Sequence, residues 1–129
     1  MLNLDRITME QSLQASPANV IDYAGALDRL EGDTELLAEM ARLFLEDSVQ
    51  QISAIRPAIA GSDASALGRA AHCLKGAISN FAAHEAFRAA EKLERIALSG
   101  DLRDANPACW ALDSALQQLN SGLASIAYA

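Results

Sequence analysis

Aromatic, β-branched and basic residues are all in short supply in this chain of 129 residues. Aromatic residues make up 5% of the sequence while hydrophobic residues reach 51%, so the core must be built mainly from alanine and leucine. Valine and threonine, which favour strands, are scarce, whereas alanine and leucine, which favour helices, dominate. The composition therefore predicts a helical protein, and its length suits one domain with a sizeable core.

The charge balance and the lack of long apolar runs exclude several functions. With 10 basic against 17 acidic residues the net charge is −7, which argues against nucleic acids and anionic membranes as partners. No apolar run approaches the ~20 residues that span a bilayer, and no secretory signal is visible. Cys73 and Cys109 form no Cys-x-x-Cys pair, so free thiols in a reducing compartment are expected. The sequence thus predicts a cytoplasmic protein.

Four long segments with helical periodicity follow one another along the chain. The first begins after Asp33, a favourable N-cap, and Pro57 predicts a kink or an early end near its terminus. The second and third cover about residues 63–81 and 85–98. The fourth is expected to open at Asn106-Pro107, with Asn106 as the cap and Pro107 at the first helical position. Such helices, joined by short loops, predict an all-α fold, an antiparallel up-down-up-down four-helix bundle.

Two shorter segments precede these helices. Residues 1–13 form a candidate amphipathic helix that ends before Ser16-Pro17, and a second candidate covers about residues 21–30. We therefore expect one or two short extra N-terminal helices. Residues 1–19 are assigned to an N-terminal extension and residues 20–127 to the bundle domain.

The segment 63–81 carries a histidine on the side opposite its apolar stripe. At about 100° per residue, His72 lies about 160° from Leu74, which belongs to that stripe. The other residues of the outer face are Ser65, Gly68, Arg69, Gly76 and Ser79, with Lys75 at its flank. A histidine offers a nucleophilic nitrogen at neutral pH, and the two cations could contact an incoming phosphoryl group.

Two glycines, Gly68 and Gly76, lie about one turn on either side of His72. Glycine inside a helix costs roughly 0.5–1 kcal/mol relative to alanine, so two on a solvent face do not serve stability. Their spacing predicts that another protein brings its surface close to the imidazole. One such glycine alone would be a tolerated surface residue.

The run Ala71-His72-Cys73-Leu74-Lys75-Gly76-Ala77 resembles the H-x-L-K-G-[SA] signature of histidine-containing phosphotransfer (HPt) domains. The loops Gly61-Ser62-Asp63-Ala64 and Ser99-Gly100-Asp101-Leu102 resemble two interhelical loops of the family, and the resemblance covers about residues 20 to 125. One departure is Ala82, where members usually have glycine. The helix before it is therefore expected to end with less left-handed geometry.

The resemblance implies a four-helix bundle that shuttles a phosphoryl group between response-regulator receiver domains, with a hybrid histidine kinase as a further candidate partner. His72 is then the phosphoacceptor, Lys75 helps neutralise the phosphoryl charge, and Gly76 clears space for the receiver. Arg69, Gly68 and Ser79 are supporting candidates. No cofactor of the chain's own is implied, because Mg²⁺ is expected in the partner receiver.

The docking surface is expected to combine the His72 helix with the helix over residues 34–56. Four residues of that helix are candidates either for docking or for the core: Leu37, Ala41, Phe44 and Ser48. His84 is interpreted as a loop or cap residue. Cys73 points about 100° away from His72, so the two do not converge on one metal ion. The acidic residues are assigned to solvent faces.

The alternative function is a non-catalytic helical adaptor or inhibitor that binds a receiver or kinase without phosphotransfer. Such a protein would not need the trio His72, Lys75 and Gly76. A dimerising histidine-kinase core is a third idea. Two observations argue against it: the sequence has no Gly-rich phosphate loop, and one chain has enough helices to close a bundle. We therefore predict a phosphocarrier rather than an enzyme with its own ATP site. It is expected to be monomeric and free-standing.

Overall fold

The computed structural model describes residues 22–128, and every regular element in that range is helical. A short helix, α1 (Tyr23–Arg29), precedes four longer ones. These are α2 (Thr34–Ala60), α3 (Ala64–Ile78), α4 (His84–Ser99) and α5 (Ala105–Ala127), with a 3-10 turn, Ser79–Phe81, after α3. The all-α class is confirmed. The helix expected over residues 1–13 and the extension to residue 19 lie outside the described residues.

The four long helices pack into one bundle in which α3 and α5 each contact both α2 and α4. Arg42 Nη1 donates a hydrogen bond to the carbonyl of Ala127 at 3.2 Å, and Arg56 forms an ion pair with Asp113, so two contacts join α2 to α5. On the other side His72 of α3 contacts Glu94 of α4. The helices α3 and α5 therefore lie across the bundle from each other.

The core is built from alanine and leucine, as the composition predicts. Its largest fully buried side chains include Leu67, Leu74, Leu93 and Leu112, and alanines fill the positions between the helices. The two buried phenylalanines, Phe44 and Phe81, meet edge to face with ring centroids 5.6 Å apart. This apolar side of α3 fixes its rotation, and the opposite side is left facing solvent.

Aspartate side chains begin α2 and α3. Asp33 accepts a hydrogen bond from the Leu36 N–H at 3.0 Å, and Asp63 accepts one from the Ala66 N–H at 3.0 Å. The cap predicted at Asp33 is thus confirmed. The predicted start of α5 is wrong, because the helix begins at Ala105 and Asp104 occupies the cap position. Pro107 is tolerated at the third helical position, since the N–H groups of the first turn have no partner within the helix.

Of the kink or early end expected at Pro57, the early end is wrong, because α2 continues to Ala60. Pro57 is exposed, as is Ser53, whose carbonyl loses its helical partner at the proline and can bind water instead. The neighbours Ile55 and Ala58 are buried against the bundle. Packing on the inner side therefore holds the last turn in place.

Ala82 does not have the reduced left-handed geometry expected from its departure from the family pattern. Its φ of 52° and ψ of 35° lie in the left-handed region. A non-glycine residue there costs about 1–2 kcal/mol. Phe81, Ala82 and Ala83 are all buried, so packing of this turn imposes the conformation in spite of the alanine Cβ.

Candidate functional site

His72 projects from the outer side of α3, where 67% of its side chain is exposed. The residues on the opposite side of this helix, including Leu67, Leu74 and Ile78, are buried in the core. The helical wheel therefore predicted the direction of the imidazole. One contact holds the ring, because its Nδ1 lies 2.8 Å from Oε2 of Glu94 on α4.

Glu94 also binds Lys75, one turn after His72 on α3. Its Oε1 lies 2.8 Å from Nζ of Lys75, so one carboxylate joins both functional candidates. Only 15% of the Glu94 side chain and 22% of the Lys75 side chain are exposed. The hydrogen bond from Lys75, followed by the one from His72, lowers the pKa of Glu94 from its ordinary value in spite of partial burial. Glu94 is therefore ionised at neutral pH.

An ionised carboxylate can only accept hydrogen bonds, so Nδ1 of His72 must carry a proton, and this N–H donates a hydrogen bond to Glu94. In a neutral imidazole this leaves the lone pair on Nε2. The contact thus selects the tautomer in which Nε2 is the nucleophile, and it restrains the orientation of the ring. Lys75 is further positioned by Phe87, whose ring centroid lies 6.0 Å from Nζ.

Sequence reasoning missed Glu94 and assigned the acidic residues to solvent faces, which is wrong for this one. Glu94 lies 22 residues from His72 along the chain, and nothing in the sequence distinguishes it from Glu85 and Glu91 of the same helix as a partner of the imidazole. Only the alignment of α3 against α4 distinguishes them. That alignment is set by buried contacts between the two helices.

The two glycines flanking His72 have different surroundings. A Cβ added to Gly76 would meet nothing within 4 Å, so its surface is open to a partner. A Cβ added to Gly68 would lie 3.4 Å from the Cβ of Ala97. Gly68 is half-buried and faces α4, so its small size serves the contact between α3 and α4 rather than a clear solvent face.

The remaining supporting candidates, Arg69 and Ser79, form hydrogen bonds to groups other than His72. Arg69 is exposed, and its Nη1 donates a hydrogen bond to Oγ of Ser65 at 2.7 Å. Ser79 Oγ donates to the carbonyl of Gly76 at 2.6 Å, so its hydroxyl closes the end of α3. The structure therefore brings His72, Lys75 and Glu94 together. Arg69 borders a groove of about 380 Å³ beside His72.

The four residues proposed either for docking or for the core, Leu37, Ala41, Phe44 and Ser48, are all buried. Leu37 and Ala41 are fully buried core residues. Phe44 and Ser48 instead form part of the floor of a groove of about 210 Å³ between α2 and α3. Leu43, which belongs to the apolar set of this helix, is 46% exposed at the edge of the groove.

Other sites are not supported within residues 22–128. No group of three or more His, Cys, Asp or Glu side chains in this range could hold a metal ion. Cys73 is exposed and Cys109 is buried, and burial raises the pKa of the Cys109 thiol. His84 is the first residue of α4 rather than a loop residue. None of the helices described is long and apolar enough to cross a membrane.

Comparison with known proteins adds one finding. A family model described as Hpt domain matches residues 39–122, from the first half of α2 to the last turns of α5. The match includes His72, Lys75, Gly76 and Glu94. No curated protein and no solved structure matches the chain.

Proposed function

The chain belongs to the Hpt domain family, and from this membership and the geometry at His72 we propose that it is a phosphocarrier of a two-component phosphorelay. His72 accepts a phosphoryl group from the aspartyl phosphate of a response-regulator receiver domain and passes it to another receiver. The observation that carries this proposal is the contact between His72 Nδ1 and Glu94, which leaves Nε2 as an exposed nucleophile. Receiver domains act in the cytoplasm, where we place this chain.

The proposal includes an antiparallel up-down-up-down arrangement of the four long helices. Its support is that residues near the start of one helix contact residues near the end of its neighbour. Arg42 meets Ala127 and Arg56 meets Asp113 between α2 and α5, while His72 meets Glu94 between α3 and α4. In this arrangement α3 and α4 form a hairpin, and its outer surface carries the phosphoacceptor.

The transfer step follows from the tautomer of His72. The Nε2 lone pair forms the new N–P bond while the bond between phosphorus and the aspartyl oxygen breaks, and the receiver carboxylate leaves with the electron pair. The ring keeps its proton on Nδ1 and becomes cationic, and the Glu94 carboxylate, 2.8 Å away, balances that charge. Transfer to the next receiver reverses these changes.

Lys75 is the proposed cation for the phosphoryl oxygens. Its ammonium has three N–H donors, so one can stay with Glu94 while another faces the phosphoryl group. Arg69, one turn before His72, is proposed as a second cation, since its exposed guanidinium needs only to leave Ser65. We place the Mg²⁺ ion of the step in the receiver, and we propose that this chain acts as a carrier without a metal or an ATP site of its own.

We propose that the receiver docks over Gly76 and the neighbouring groove between α2 and α3. Gly76 has open space around it, so a receiver loop can approach the backbone of α3. The groove offers apolar surface from Met40 and Leu43 with Asp47 among its polar residues. Such a mixed patch suits a transient interface of modest area.

The test is transfer of radiolabelled phosphate from a phosphorylated receiver domain. Wild type and His84→Gln should acquire acid-labile, base-stable label, and His72→Gln should acquire none. His84→Gln is a matched control, because His84 is the other histidine of the chain and is also exposed. If receivers bind the chain but label none of the three proteins, the adaptor or inhibitor function replaces the carrier.

A further inference from the structure

The outer face of α5 carries no charge. The helix has 23 residues, and its single charged residue, Asp113, is half-buried and paired with Arg56. Every fully exposed position of α5 is neutral, and Trp110 is the largest side chain there, 67% exposed. Tyr128, just after the helix, is 66% exposed. Tryptophan is among the residues that most often anchor protein–protein interfaces, so its exposure on a neutral helix face marks this face as a candidate contact surface.

The rest of the bundle surface is charged. The helix α2 exposes Glu35, Glu39 and Glu46, and α4 exposes Arg88 and Lys92 among others. With a net charge of −7 the chain repels its own copies over most of its surface. Among the long helices described, α5 itself lets two copies meet without bringing like charges together. Charge thus favours a second copy as the occupant of this face.

A groove for the tryptophan lies on the same face. It has a volume of about 310 Å³ between α4 and α5, and Ile96, Pro107 and Ala111 supply apolar surface to it. Pro107 and Ala111 flank Trp110 on α5, so the exposed tryptophan lies next to the groove. The groove also has two charged residues of opposite sign, Lys92 and Asp104, and Lys92 can lie over an inserted indole ring.

We propose that two copies of this chain associate through the outer faces of α5, with Trp110 of each copy entering the α4–α5 groove of the other. A two-fold symmetric contact needs such a self-complementary surface. Each residue pair that forms across the interface then forms a second time with the two copies exchanged. This departs from the monomer expected from the sequence.

The size of the face predicts a weak dimer. A helix of this length is about 35 Å long and about 10 Å wide, so two such faces together bury roughly 700–1,000 Å². This area is below that of standard stable interfaces and belongs to the weak, transient class, for which a dissociation constant towards the upper end of about 1–100 µM is expected. Because α5 packs against α2 and α4, it lies across the bundle from α3, and a dimer leaves both His72 faces open. The inference therefore does not depend on phosphotransfer.

The experiment is sedimentation of the full chain from about 1 to about 500 µM, with tryptophan fluorescence on the same samples. Trp110 is the only tryptophan, so its emission reports on this face alone. We expect the mass to rise towards that of a dimer and the emission to shift to shorter wavelength with it. Two substitutions should each weaken association at least tenfold. Trp110→Glu removes the side chain that enters the groove, and Ala111→Glu changes the groove itself.

Leu98→Glu is the matched control, because Leu98 is an exposed leucine, 77% accessible, on α4. It should dimerise like wild type, and circular dichroism should show all variants to be folded. A wild-type chain that stays monomeric at the highest concentration overturns the proposal. So does blue-shifted emission at every concentration without a rise in mass, which would mean that another part of the same chain covers Trp110. Equal weakening by Leu98→Glu would also overturn it.

Discussion

Replacing Glu94 by glutamine tests whether a partly buried carboxylate prepares His72 for reaction. The change keeps the size of the side chain and removes its charge. In the wild type the carboxylate lies 2.8 Å from Nδ1 of His72 and 2.8 Å from Nζ of Lys75. Glutamine can accept from Nδ1 through its carbonyl, but its NH₂ group can also donate to an unprotonated Nδ1. The variant therefore admits the unreactive tautomer, in which Nε2 carries the proton.

The magnitude follows from the lost charge. Hydrogen bonds to ionised groups contribute about 1.5–3 kcal/mol, against about 1 kcal/mol for neutral pairs. The cationic ring formed during transfer would thus lose about 1–2 kcal/mol of stabilisation in the Glu94→Gln variant. At about 1.4 kcal/mol per factor of ten, the rate of phosphoryl transfer should fall roughly 5- to 30-fold.

The assay is single-turnover transfer from an excess of phosphorylated receiver, combined with ¹⁵N chemical shifts of the His72 ring. Wild type should show a protonated Nδ1 and an unprotonated Nε2, and Glu94→Gln should show a mixture. Glu91→Gln is the control, since it removes the same charge from the same helix one turn earlier. Wild-type rates and an unchanged tautomer in Glu94→Gln would refute the positioning role.

Three further predictions concern stability. Gly76→Ala should raise the free energy of unfolding by about 0.5–1 kcal/mol, because a Cβ there meets no neighbour, and it should slow phosphoryl transfer. Thermal melts measure the first effect and the transfer assay measures the second. A destabilised variant would contradict the open space around Gly76. Ser62→Gly should stabilise by about 0.5–1 kcal/mol in urea titrations, because Ser62 is exposed with φ 54°, and destabilisation would contradict the left-handed backbone. The lowered pKa of Glu94 adds stability that is present above its ordinary value of 4.5 and is lost as pH falls through the lowered value. Wild type should therefore exceed Glu94→Gln at neutral pH and approach it in acid; an equal gap at both pH values would argue against this linkage.

The helices could be predicted because their signals are local. The cap at Asp33 and the apolar spacing of α3 act within one or two turns, and both hold in the structure. The errors at Pro57 and Ala82 have a common cause. In each case local preference disfavours the observed backbone, and burial of adjacent residues such as Ile55 and Phe81 overrides it. The sequence of one segment does not reveal how other helices pack against it.

The candidate site divides in the same way. His72, Lys75 and Gly76 occupy little more than one turn of α3, so their spacing alone brings them together. Gly68 looked equivalent to Gly76 because a helical wheel records direction but not what stands opposite. Ala97 of α4 stands opposite Gly68, and open space stands opposite Gly76. A neighbouring helix is needed to tell a packing glycine from an exposed one.

A phosphoacceptor histidine has two conflicting requirements, and the pairing of α3 with α4 meets both. Its reactive nitrogen must be exposed so that a receiver can reach it, yet an exposed side chain is free to rotate and to change tautomer. The two nitrogens of the ring divide these tasks, because Nδ1 faces the largely buried Glu94 while most of the ring stays in solvent. Lys75 lowers the pKa of that carboxylate and holds its Oε1 at 2.8 Å, so the cation needed by the phosphoryl group also positions the group that orients the nucleophile. Loss of Lys75 should therefore loosen the orientation of the His72 ring as well as weaken phosphoryl binding.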